Sequence, residues 1–293
     1  MNDNGRADLH VHTRASDGGL APAQVVEAAS KVGLAAIAIT DHDTAAGVAE
    51  AREAGLRLGV EVVPGVEMKC EFEGEGMEIL GYFIRPDADS MRWFSEEMLR
   101  RRRERVARMV ERLRALGMRI DEADVEREAD GGTPGRPHVA AALVRAGYAS
   151  DMDEPFRGPI GHGGDAYVAI EKPPLTKALE VVRDAGGVPV LAHPGHITGP
   201  KDIWRFMEDV AACGVRGVET IYPYGTSGRR ARADARNAAE FCRRVERFAR
   251  DRRLLVTGGS DFHAHDRLAP LGAASVPVEW VRALRRAAGA DEP

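Results

Sequence analysis

The stretch Ala7-Asp8-Leu9-His10-Val11-His12-Thr13 (ADLHVHT, residues 7–13) runs from a short apolar segment into two histidines two positions apart, and its reading decides the fold. Residues i and i+2 of a strand share a face, so His10 and His12 can converge on one point at the end of a strand. A His-x-His pair alone is weak. Its weight comes from the residues that close the later apolar runs.

Working outward, residues 7–11 read as strand, 22–32 as helix, 34–40 as strand, 44–54 as helix and 58–66 as strand, with a further strand over 78–83. That alternation predicts parallel strands joined by helices, an α/β fold. In such folds functional side chains collect at the carboxyl ends of strands. Asp17 comes shortly after the first run, Thr40-Asp41-His42 ends the second, and Gly65-Val66-Glu67 ends the third. Later come Glu78 at the start of EILGY, His193 in LAHPG, and Asp261 with His263, again two apart, in GSDFH.

Between about residues 90 and 165 the texture changes. Phe94, Met98, Val106, Met109, Val110, Leu113 and Leu116 recur at helical spacing, and two Gly/Pro-rich stretches enclose a short helix over 137–147. We expect a small inserted helical subdomain at 90–165, covering the active site of a domain built from 1–89 and 166–293. After it the pattern resumes: helix 175–185, strand 188–192, helix 201–212, strand 217–221, helix 230–252, strand 254–257 and helix 279–288. The Arg100 to Arg103 run reads as a solvated helix face paired with Glu96, Glu97 and Glu104.

Composition bounds the function. Of 293 residues, acids outnumber bases to a net charge of −5, with both signs mixed along the chain, which argues against a general nucleic-acid-binding surface. Cys70, Cys213 and Cys242 are widely spaced and form no C-x-x-C pair, so neither a disulfide framework nor a cysteine zinc cage is expected. The first residues lack a signal-peptide pattern, and no run approaches the ~18 apolar residues of a membrane span. We expect a cytoplasmic protein acting on a small molecule, with no membrane partner.

Imidazole and carboxylate ligands together suit Zn, Mn or Fe. Five histidines and several acids exceed the needs of one tetrahedral ion, so two or three divalent cations are expected.

As an ordered set, DLHVHTRASDG, AIAITDHDT, VPGVE, VLAHPG and GSDFH resemble the five signature segments of the PHP (polymerase and histidinol phosphatase) domain, from Asp8 to about Gly272. Within that family the chain is similar to stand-alone bacterial phosphoesterases with a helical insertion carrying Arg-Pro-His, here Arg136-Pro137-His138. The resemblance implies a distorted (β/α)7 barrel and a multinuclear site. It implies that His10, His12, Glu67 and Asp261 hold one ion, that Glu67 bridges to a second held by His193, and that Asp17, His42 and His263 hold a third. Glu78 stands where the family usually has histidine, and His196 where related phosphatases often have arginine. Substrate phosphate then falls to Arg136, His138, His196 and Lys172, with Arg229 or Arg230 as further candidates.

The expected activity is metal-dependent hydrolysis of a small phosphate ester, a nucleotide or sugar phosphate such as the 3'-phosphate of a nucleotide bisphosphate. Glu67 and His263 are the expected catalytic residues, and His263, His196 or His138 supplies a proton to the leaving oxygen. The alternatives are a cyclic phosphodiesterase acting on a ribose-type cyclic phosphate, a non-catalytic nucleic-acid-binding module and, more distantly, a C–N hydrolase.

Overall fold

The computed structural model describes residues 5–225, 231–233, 236–264 and 269–290. The chain forms two compact units, residues 1–94 with 172–293, and residues 95–171.

The first unit is built on one sheet. β1 (Arg6–Val11), β2 (Ala36–Ile39) and the start of β3 (Glu61–Phe72) are parallel, joined by α1 (Pro22–Lys31) and α2 (Val48–Leu58). β4 (Glu75–Tyr82) then turns back antiparallel, and β5 (Val188–Leu191) is antiparallel to β4. β6 (Gly217–Ile221) and β7 (Leu255–Gly258) restore parallel pairing. β8 (Val276–Pro277) adds a short antiparallel edge on β1. Just past β7, Phe262 pairs with Val11 at the end of β1, and its carbonyl accepts the His12 N–H at 2.9 Å. The sheet thereby curls almost closed, which gathers the loops after β1, β2, β5 and β7 around one mouth.

The antiparallel hairpin departs from the all-parallel expectation. Its cause is local: Glu73 (φ 52°) and Gly74 (φ 79°) both take the left-handed region, the geometry of a tight two-residue β-turn. β3 also changes partner midway. At Gly65 a Cβ would stand 2.9 Å from the Ile39 carbonyl oxygen and 3.0 Å from that of Gly81, so glycine lets three strands approach there.

Alternation of small and large apolar residues fills the interior. Ala7, Leu9, Ala36, Ala38, Leu80 and Val190 are fully buried, and Tyr82 donates its hydroxyl proton to the Leu9 carbonyl at 2.8 Å. α7 (Leu175–Asp184), α8 (Ile203–Ala212), α9 (Ala238–Asp251) and α10 (Val278–Ala288) cover the outside. Residue 230, where helix α9 was expected to begin, lies outside the described residues, and the helix starts at Ala238.

The second unit is helical. It holds most of α3 (Asp89–Ala115), then α4 (Glu122–Ala129), α5 (Arg136–Arg145) and α6 (Glu154–Arg157), packed around Met109, Leu113, Val125, Val139 and Leu143. Sequence reading missed α4, because EADVEREA offers too few apolar residues to set a period. Its start is nonetheless marked by Asp121, whose carboxylate accepts the Asp124 N–H at 2.8 Å. On α3, Arg100 pairs with Glu97 and Glu104 as expected, while Arg103 pairs with Glu126 of α4 instead of a neighbour on its own helix. No helix among the described residues is long and apolar enough to cross a membrane, and all three cysteines are free.

Candidate metal centre

The mouth of the barrel is lined by side chains that sequence reading picked out at the strand ends. His10 and His12 leave the end of β1 fully buried, with Glu67 beside them, 1% exposed, from the middle of β3. The Nε2 of His10 lies 3.4 Å from Glu67 and 3.4 Å from Asp261; the Nε2 of His12 lies 3.3 and 3.1 Å from the same two carboxylates. His42 Nδ1 approaches the second Glu67 oxygen at 2.8 Å, and His193 Nε2 approaches the first at 2.9 Å. Asp17 sits 3.3 Å from His263 Nε2 and 3.7 Å from His42 Nε2. Glu67 is therefore central, touching four imidazoles.

Glu78 does not obey the strand-end rule. It lies on β4, which runs antiparallel, and its carbonyl accepts the Ala192 N–H at 3.0 Å beside the end of β5. The reversed strand thus brings a mid-strand residue to the same level as His193, and Glu78 Oε2 lies 3.3 Å from His193 Nε2.

Supporting residues hold this arrangement. Asp41 accepts the Thr13 N–H, the Thr13 hydroxyl and the Ser16 hydroxyl, each at 2.7 Å, and so shapes the loop that carries Asp17. Asp8 accepts the N–H groups of Ser260 (2.9 Å) and Gly272 (2.8 Å), tying β1 to the segment that carries Asp261. Sequence reading missed two partners of the ligands. Glu219, in the middle of β6, has one oxygen 3.0 Å from His10 Nδ1 and the other accepting the His193 N–H at 2.7 Å. Tyr222 donates its hydroxyl proton to Asp261 at 2.8 Å. The signal for Glu219 was a charge inside an apolar run, GVETI. Left-handed backbone at Asp43 (φ 59°) and Asp261 (φ 53°), and a φ of 20° at His193, add local strain of the kind found at functional sites.

The electrostatics are those of imidazoles and carboxylates packed close enough to shift one another. Burial pushes His10 down, but the carboxylates of Glu219, Glu67 and Asp261 outweigh it and hold it well above the usual histidine range. Burial likewise opposes His263, and Asp17 and Asp261 raise it to about 9. His12 falls to about 3 through burial and the nearby His263 and His42. Despite burial, Glu67, Asp17 and Asp261 are held well below the carboxylate range by the surrounding imidazoles.

These groups suit divalent cations. Buried His10 Nε2, both His12 ring nitrogens, His42 Nδ1 and Glu67 Oε2 crowd together at ion-pair distances without the alignment of a hydrogen bond, an arrangement that suits ligands of a shared cation. Ligand atoms of His10, His12, Glu67 and Asp261 all lie within 4.8 Å of one another, as do those of His12, Asp17, His42 and His263, and those of His42, Glu67 and Glu78.

The substrate candidates fall in different places. His196 is half-buried beside the cluster, its Nε2 3.2 Å from the Tyr222 hydroxyl. Lys172 lies over Gly76 on β4, two residues along from Glu78. In the helical unit, Arg136 stacks on Phe156 and Tyr167, 5.5 and 5.6 Å from the ring centroids, and His138 Nδ1 accepts the Gly135 N–H at 3.0 Å as a helix cap. Arg229 and Arg230 lie outside the described residues.

Comparison with known proteins agrees with this geometry. The family description "PHP domain" matches residues 8–124. A phosphoribosyl 1,2-cyclic phosphate 1,2-diphosphodiesterase of Eggerthella lenta is 35% identical, covering 87% of this chain and 93% of its own. A 3',5'-nucleoside bisphosphate phosphatase of Chromobacterium violaceum is 32% identical over 88% and 87% of the two chains, and a 5'-3' exoribonuclease of Haemophilus influenzae 31% identical over 87% and 89%. A crystal structure of a metal-dependent phosphoesterase from Bifidobacterium adolescentis superimposes with a TM-score of 0.83 at 31% identity, covering 97% of this chain and 96% of the other.

Proposed function

The chain belongs to the PHP domain family and is a metal-dependent phosphoesterase, and from that premise we propose that its substrate is a small phosphorylated nucleotide or sugar, with the 3'-phosphate of a nucleoside bisphosphate as the first candidate. One observation carries the reading: five histidines and four carboxylates from six strands or strand ends form one cluster with Glu67 at its centre, too many ligands for one ion and arranged to share a carboxylate. Two or three divalent cations, Mn, Zn or Fe, would be held by His10, His12, Glu67 and Asp261, by Glu67, Glu78 and His193, and by Asp17, His42 and His263. Such ions, when bound, neutralise charge on a phosphate ester and lower the pKa of water so that a nucleophile exists at neutral pH.

The protein's own groups do the rest. Glu67 keeps the imidazoles at fixed spacing from one another. Glu219 holds a proton on His10 Nδ1, which leaves Nε2 as a lone-pair donor facing the cluster. His263, with Nε2 toward Asp17 and Nδ1 2.8 Å from the Asp261 carbonyl, has both ring nitrogens committed once it holds an ion, so the proton for the departing oxygen falls to His196. For the substrate phosphate we assign Arg136, His138, His196 and Lys172, whose charge and donors suit it. Three free cysteines support a reducing, cytoplasmic setting.

The second reading is hydrolysis of a ribose-type cyclic phosphate, favoured by the likeness to the Eggerthella lenta diphosphodiesterase and by Glu78 and His196 at positions where the family pattern differs. The deciding experiment offers the manganese-loaded protein a nucleoside 3',5'-bisphosphate, a ribose cyclic phosphate and a 5'-phosphorylated oligoribonucleotide, and measures product for each. Rapid phosphate release from the bisphosphate supports the first reading. Turnover of the cyclic ester alone establishes the second, and processive shortening of the oligonucleotide with no release from the bisphosphate overturns both.

A further inference from the structure

The corner of the cluster occupied by Glu78 adds a negative charge to a site that already holds Asp17, Glu67 and Asp261. Across the β3–β4 hairpin, the residue directly opposite Glu78 in register is Lys69. Lys69 is also two residues after Glu67, so the three side chains share one face of the hairpin. Its Nζ lies 3.5 Å from Glu78 Oε1, while Glu78 Oε2 lies 3.3 Å from His193 Nε2. The carboxylate thus spans an ammonium on one side and the imidazole cluster on the other. The Lys69 backbone is itself pinned, its N–H donating to Asp43 at 3.1 Å.

We propose that Lys69 is a positioning residue and the built-in counter-charge of Glu78: together they give the corner an oxygen ligand with the net charge of a neutral imidazole. This rests on the reading of the cluster as a metal centre. Ion affinity at the corner then tracks the summed charge of residues 69 and 78, because each unit charge a few ångströms from a divalent cation is worth on the order of tenfold in affinity even with solvent-like screening. Ion preference tracks the donor atom at residue 78, since a carboxylate favours a hard, oxygen-preferring ion such as Mn2+ and an imidazole shifts preference toward Zn2+.

The test is metal binding to the stripped full-length protein, by calorimetric titration with Mn2+ and with Zn2+ and by elemental analysis after loading with both. Four variants are compared with the parent: Lys69→Met, Lys69→Arg, Glu78→His, and Lys69→Met with Glu78→His together. At the weakest-binding ion, affinity should rank Lys69→Met above the parent, the parent about equal to Lys69→Arg and to the double variant, and Glu78→His lowest, roughly tenfold per step. The double variant should take up a larger share of Zn2+ than the parent. If Lys69→Met leaves affinity unchanged in both backgrounds, Lys69 does not act on the corner and the proposal is overturned. Failure of the underlying metal reading looks different: the parent protein itself would bind no ion. A circular-dichroism melt on each metal-free variant confirms that the comparison is made on folded protein.

Discussion

Glu219→Gln is a sharp probe of the centre, because it removes one charge and almost no volume from a residue that is 1% exposed. Both carboxylate oxygens accept: one faces His10 Nδ1 at 3.0 Å, the other takes the His193 N–H at 2.7 Å. Glutamine has a single acceptor oxygen. The His193 N–H is a fixed donor, so the amide oxygen must serve it, and the amide NH2 then faces His10 Nδ1. Two donors cannot share that contact. His10 must present a lone pair at Nδ1, which moves its proton to Nε2, the atom that faces Glu67 and Asp261. Metal affinity should therefore fall by about 10- to 100-fold, equivalent to ~1.4–2.8 kcal/mol, with catalytic rate at saturating metal changing far less. The measurement is metal dissociation constant by titration of stripped protein, alongside turnover against metal concentration. An unchanged dissociation constant in a folded variant would refute the role given to Glu219.

Neighbouring contacts set further expectations. In the metal-free protein, His10 and His263 bind their protons more tightly than in the unfolded chain, so their stabilisation is complete below the ordinary value of 6.5; that of His263 is lost as pH rises through about 9, and that of His10 well above its ordinary range. Glu67, Asp17 and Asp261 act in the opposite direction, their stabilisation being lost as pH falls below the ordinary carboxylate range. His12, lowered to about 3, costs stability as pH falls below 6.5, so the melting temperature of the stripped protein should peak near ~pH 6.5 and drop by pH 9, whereas metal affinity should rise over that interval because ions displace those protons; a flat melting profile would contradict this. Asp8→Ala leaves the N–H groups of Ser260 and Gly272 without their buried acceptor and should cost on the order of 3 kcal/mol in urea unfolding, a loss under ~1 kcal/mol speaking against its tying role. If Arg136 binds substrate phosphate as proposed, Arg136→Ala should raise KM for a phosphomonoester strongly without changing metal content, and an unchanged KM would overturn that assignment.

What the sequence made legible was chemistry placed at strand ends. His10 with His12 and Asp261 with His263 could be seen because spacing of two on an extended chain has one geometric meaning, and because each pair closes an apolar run. The reversal of β4 could not be seen that way, since a buried apolar run looks alike in parallel and antiparallel pairing; the Glu73-Gly74 turn was the available signal. Glu219 escaped for another reason. Its partner His10 is 209 residues away, and a carboxylate in mid-strand has no local pattern that distinguishes it from a charge at a surface. Asp8 and Asp41 stand inside the quoted strand-end segments, but their supporting role was hidden, since their work is to accept hydrogen bonds from loops brought near only by closure of the sheet. Lys69 drew no notice because its meaning depends on register across the hairpin.

The most direct test of the centre is reconstitution: strip the protein with chelator, restore Mn2+ in counted equivalents, and measure phosphate release from a phosphate ester together with bound metal. Activity should be absent in the stripped protein, rise with the second or third bound equivalent, and be lost with metal in His10→Ala and Asp261→Ala. Full activity in the stripped protein, or in both variants, would contradict a metal centre built on these residues.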